Sequence, residues 1–160
     1  MNWDAIGVIT EIIGTIVVII TLVYLSKQVK DGNKQAELEG MRHTLDGFNQ
    51  YCQLIVSDKT VAELMIKGRA DFHELDEAEQ MQFDHMHIHF LNTMEGWARS
   101  IEETAREESY KNIQEQNLEE TVYYWFTDPG SRAVWDRYRA AFPLLHETFD
   151  RALTKIDQQN

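Results

Sequence analysis

The sequence predicts an all-α protein: one N-terminal membrane helix followed by a cytoplasmic bundle of five or six helices. Three observations carry this. Residues 5–24, "AIGVITEIIGTIVVIITLVY", form an almost unbroken apolar run. Two prolines in 160 residues leave little punctuation for a many-turned β fold. After the run, apolar residues recur at helical spacing and nowhere alternate at strand period. The net charge of -12 would repel phosphate backbones, so no nucleic-acid partner is expected.

The apolar run comes first. Twenty residues at about 1.5 Å each match the roughly 30 Å of bilayer hydrocarbon. Trp3 and Tyr24 flank it as an interfacial aromatic belt does. No Lys or Arg precedes it, so a cleaved secretory signal is disfavoured. Lys27, Lys30 and Lys34 follow it, and the positive-inside rule then places the N-terminus outside and the C-terminal domain in the cytoplasm. The expected location is a bacterial inner membrane, crossed once. Residues 1–30 make the anchor, 31–157 the helical domain and 158–160 a frayed tail.

Glu11 interrupts the run. Gly7, Glu11, Gly14, Val18 and Thr21 follow at spacings of four, three, four and three, and all but Val18 are small or polar. Small residues let helix backbones approach, and polar ones hydrogen-bond across the contact, so this stripe reads as an oligomer interface. Alternatively Glu11 snorkels to the headgroups, or lies on a proton or ion pathway.

Beyond the span, Asp31-Gly32-Asn33 is expected to break or kink the helix. Leu38, Met41, Leu45, Phe48, Cys52 and Ile55 then repeat at three-four spacing, a heptad seam that suits a bundle helix or a parallel oligomer. Cys52, the sole cysteine, is expected in the core. Gly40 and Gly47 weaken this helix locally. The next helix is predicted from a capping box of Thr60 and Glu63, with Gly68 as its stop. Asp76 and Glu79 cap a long helix whose inner stripe is Phe83, His87, Phe90, Met94, Trp97 and Ile101, widened by Met81, Ile88, Leu91 and Ala98. "IEETAREES" is its solvated end. "NIQEQNLEETVYYWF" makes another helix, whose aromatic end plugs the core. Asp128 as N-cap and Pro129 at the first position start the next. Pro143 opens the last, with Leu144, Leu145, Phe149, Leu153 and Ile156 inward.

The stretch from Trp3 to Val29, with "EIIG" at 11–14 and "LVYLSKQV" at 22–29, resembles the start of an uncharacterised bacterial family of short membrane-anchored helical proteins. "DPGSRAVW" at 128–135 extends the resemblance, and "KDGNKQ" departs from it. The resemblance implies an anchored helical domain and no particular chemistry.

Few residues carry recognisable chemistry. In "DHMHIH", His85 and His89 share a helix face, and they are the pair a metal or pH sensor would use. The histidine after which a zinc protease needs Glu is followed by Met86, and no paired Glu-x-x-His motif occurs, so no metal and no cofactor is expected. Arg132, Arg137 and Arg139 are expected to pair with Glu119, Glu120 and Asp136 rather than to bind an anionic headgroup. Nucleophile elbows, phosphate loops and paired catalytic carboxylates are missing, so no enzyme is expected. The leading expectation is a membrane-anchored, self-associating scaffold or adaptor with membrane lipid, further copies of itself and an unknown protein as partners. Its rivals are a proton-pathway subunit using Glu11 and a sensor using His85 and His89.

Overall fold

The computed structural model describes residues 3–105 and 107–158; of these, the side chains of 3–6, 8–10 and 157 are not described. Six α-helices and three 3-10 turns make up the described chain, with no strand among the described residues. The helices are α1 (Trp3–Val56), α2 (Lys59–Ala70), α3 (Glu77–Thr104), α4 (Glu108–Trp125), α5 (Pro129–Tyr138) and α6 (His146–Asp157). Two compact units divide the chain, Met1–Leu38 and Glu39–Asn160. The side chain of Trp3 and the end of the tail lie outside the described residues.

The first unit is helical throughout its described part. Asp31, Gly32 and Asn33 do not break the helix, contrary to the sequence expectation. No glycine has a positive φ. One Gly without the left-handed turn that ends helices costs a helix only about 1 kcal/mol. α1 contains one segment long and apolar enough to cross a membrane, and none of its most apolar window is buried within the chain.

In the second unit, residues 39–56 of α1 turn an unexpected face inward. Met41, Leu45 and Cys52 of the heptad seam are exposed, as is Leu38 just before the unit, while Phe48 and Ile55 are half-buried. The inward stripe is Gly40, Thr44, Gly47 and Tyr51, one residue out of phase with that seam. The reason is close approach. A Cβ on Gly40 would sit 2.1 Å from Ser100 Oγ, and one on Gly47 would sit 2.6 Å from Thr93 Cγ2. The glycines that weaken the helix thus let α3 lie against its backbone. Tyr51 packs on Phe90 (centroids 4.6 Å) and on Trp125 (5.5 Å). Phe48 meets Phe90 and Trp97 edge-on.

α2 starts two residues earlier than the sequence suggests. Asp58 is the N-cap, accepting from Thr60 N and Thr60 Oγ1 at 2.8 Å each, so the Thr60 hydroxyl is itself a donor to the cap. Gly68 does not stop this helix, which continues to Ala70. It sits under the Phe83 ring instead.

α3 is the spine of the bundle and matches its sequence reading closely. Asp76 and Glu79 form the capping box. Phe83, His87, Phe90, Met94 and Ile101 are buried and Trp97 is half-buried. Met81 is the exception, being exposed. The acidic run is split, since α3 ends at Thr104 and α4 begins at Glu108.

The remaining helices close the core. Phe126 and Val122 are fully buried, and Phe126 meets Phe149 at 4.8 Å. Asp128 caps α5 with Pro129 in its first turn. Pro143 opens a 3-10 turn, and α6 proper begins at His146. Trp135 stacks on Phe149 at 3.6 Å with the rings 10° from parallel. Residues far apart in sequence therefore meet in one aromatic core.

Candidate functional site

In the first unit the stripe residues Gly7, Glu11, Gly14, Val18 and Thr21 share one face by their spacing, and all are exposed. A Cβ on Gly7 or Gly14 would meet nothing within 4 Å, so each leaves an open notch. The Thr21 hydroxyl donates to Val17 O (2.8 Å) and the Thr15 hydroxyl to Glu11 O (2.9 Å), which uses both donors inside the helix. Around the stripe, nine aliphatic side chains from Ile12 to Leu25 are 51–66% exposed. Values near one half are what a bare helix shows. Leaving that much apolar surface in water would cost about 10 kcal/mol, comparable with the whole stability of a domain.

In the second unit the histidine cluster separates into three environments. His87 is buried. Its Nδ1 lies 3.0 Å from Phe83 O, an obligate acceptor, so Nδ1 carries the proton. Nε2 is then the acceptor for the buried Ser131 hydroxyl at 3.0 Å. Burial lowers the His87 pKa below 6.5, outweighing the backbone bond that raises it. Ser131 N donates to Asp128 Oδ1 (2.9 Å), and Asp128 Oδ2 accepts from Arg69 Nε (2.8 Å). Both side chains are buried, and through Asp128 and Arg69 the pair ties α2, α3 and α5 together.

Asp84 faces the other way. It is buried and accepts from Arg137 Nη1 (2.7 Å) and Tyr138 Oη (3.0 Å) through Oδ2. Arg137 also covers the Phe72 ring at 4.5 Å. Arg137 therefore pairs with Asp84 rather than with the Glu119, Glu120 or Asp136 that the sequence suggested. Glu119 is held by Arg151 Nε (2.9 Å) and by Lys155 instead. Burial raises its carboxyl pKa, but the two cationic hydrogen bonds outweigh that and hold it below the usual range.

His85 and His89 line one groove. Leu54, Val61, Gln82 and Met86 complete its walls, and it encloses about 320 Å³. A second hollow of about 390 Å³, between Gln50, Gln53, Leu54 and Ser57, shares the His89 wall. His85 is exposed and its Nδ1 donates to Met81 O at 2.8 Å. His89 Nε2 is buried with no hydrogen-bond partner.

No family model, curated protein or solved structure matches this chain.

The contacts that organise the second unit escaped sequence reading. Gly130 is the sharpest case: a Cβ there would sit 1.7 Å from the Gly68 carbonyl oxygen. The available signal was the pairing of a capping Asp-Pro with Gly-Ser, which marks a helix start that another backbone approaches.

Proposed function

We propose that this chain is a membrane-anchored helical scaffold that self-associates through the Gly7, Glu11, Gly14, Val18 and Thr21 stripe and presents an acidic helical domain to a protein partner. One observation carries the reading: the apolar window of α1 is bare, with none of it buried in the chain. Lipid would cover the isoleucines and valines, and a second copy the notched face. Gly7 and Gly14 would admit a neighbouring backbone, and Glu11 would hydrogen-bond across the contact, offsetting an insertion cost of about 2.5–3.5 kcal/mol for an ionisable group at mid-membrane. The lysines after the span support a cytoplasmic domain by the positive-inside rule. The resemblance of 3–29 and 128–135 to membrane-anchored helical proteins supports the same reading.

The test uses single cysteines in a Cys52→Ser background, after a carbonate wash has shown whether the chain stays with membranes. Cysteines at 7, 14 and 21 should cross-link, and those at 9, 16 and 20 should not. Equal cross-linking at both sets would overturn the interface, and release by carbonate would overturn the anchor.

A further inference from the structure

We infer that the groove between His85 and His89 is a binding site for a single soft monovalent metal ion, Cu(I), held by two imidazoles and the Met86 thioether. The three residues lie on adjacent positions of α3's surface: 85 and 89 are one turn apart, and 86 lies beside them. All three line the same groove with Leu54, Val61 and Gln82.

Two features point to a ligand rather than to solvent. The first is the unpaired His89 nitrogen. An imidazole Nε2 that is buried and bonded to nothing carries a desolvation penalty unless something occupies it. The second is the orientation of His85. Its Nδ1 donates to the Met81 carbonyl at 2.8 Å, so Nε2 keeps its lone pair for another partner. Metal-ligating histidines are held by the same kind of backbone bond through the other ring nitrogen. His85 is exposed, so the ion has an entry path.

The donor set selects the ion. Zn²⁺ takes four ligands, and hard ions want carboxylates. No Asp or Glu lines the groove, and Asp84 is committed to Arg137 and Tyr138. Among the described residues no group of three His, Cys, Asp or Glu is placed to hold a metal. Two nitrogens with one thioether, in apolar walls, suit Cu(I), which thioether ligands favour. Cys52 is exposed and does not line this groove, so it is replaced to keep a competing thiol out of the test.

The experiment is Cu(I) binding to the detergent-solubilised full chain carrying Cys52→Ser, measured by competition with a chromophoric Cu(I) chelator under reducing, anaerobic conditions. One ion per chain is expected. His85→Ala, His89→Ala and Met86→Leu should each weaken it by at least about tenfold, the lower end of what losing even a supporting group costs a metal site. His43→Ala should leave it unchanged. His85 is exposed, so its variant keeps the fold, and circular dichroism checks the other two. X-ray absorption should show two nitrogen scatterers and one sulfur. Zero stoichiometry, tighter binding of Zn²⁺ than of Cu(I), or undiminished binding in His85→Ala would overturn the site. None of these outcomes depends on whether the chain self-associates.

Discussion

Gly130→Ala offers a direct test of how the bundle is closed. The added methyl would lie 1.7 Å from the Gly68 carbonyl oxygen, 2.7 Å from its carbon and 3.0 Å from Arg69 Cα. All three are backbone, so no side chain can rotate away. Restoring a normal carbon–oxygen contact needs α2 and α5 to part by roughly 1.8 Å, given contact distances near 3.5 Å. The Arg69–Asp128 bond, now 2.8 Å, spans that gap and would be lost. Overpacking costs about 1–3 kcal/mol, and a hydrogen bond to a charged group about 1.5–3 kcal/mol. A loss of about 3–5 kcal/mol follows, a large share of the roughly 5–15 kcal/mol that holds a domain together. Urea unfolding of the detergent-solubilised chain, followed by tryptophan fluorescence, measures it, since Trp135 is stacked inside the same core. Gly96→Ala is the control: a Cβ there meets nothing within 4 Å, so it should stabilise α3 by up to about 1 kcal/mol. If Gly130→Ala unfolds at the wild-type urea concentration, the backbone contact between α2 and α5 does not exist as described.

Other contacts make separate predictions. Because burial lowers the His87 pKa below 6.5 in the folded state, the unfolded chain binds the proton first as pH falls. Stability should therefore be complete above pH 6.5 and decline below it, and His87→Gln should flatten that decline in urea titrations between about pH 5 and 7. Arg137→Ala strands a buried carboxylate; breaking a buried pair costs about 3–5 kcal/mol, and the half-exposed arginine brings the expected loss to about 2. Adding Asp84→Asn should recover part of it, and a strictly additive double variant would show that the pair is not coupled. Cys52 should react with a thiol reagent in the native state as fast as in urea, because it is exposed; protection in the monomer would restore the core reading.

How much of this was legible beforehand depended on range. The α3 stripe from Phe83 to Ile101, the Asp76–Glu79 box and the Asp128–Pro129 start are local: each is set by residues within a turn or two, so spacing revealed them. The heptad seam misled because periodicity finds an apolar face without saying which neighbour takes it. In residues 39–56, Gly40 and Gly47 allow backbone approach on one face, and α3 fills it, leaving Met41, Leu45 and Cys52 outside. Gly68 misled similarly, since a glycine that ends a helix and one that admits a ring look alike in one dimension. The spacing of Gly7, Glu11, Gly14, Val18 and Thr21 puts them on one face because a single helix carries all five.

By itself, the amino-acid order determined that the chain is helical, that one segment is apolar enough to cross a membrane, and where the strongest helix caps fall. Each of these follows from hydrogen bonding and transfer energies that act within a single segment. Only the tertiary structure decided that His87 meets Ser131, that Asp84 meets Arg137, and that His85, Met86 and His89 share walls with Leu54 and Val61. Those meetings join residues up to 53 positions apart. They come from how helices pack once their small residues allow contact, and pairwise packing is written in volumes and distances that no linear pattern records.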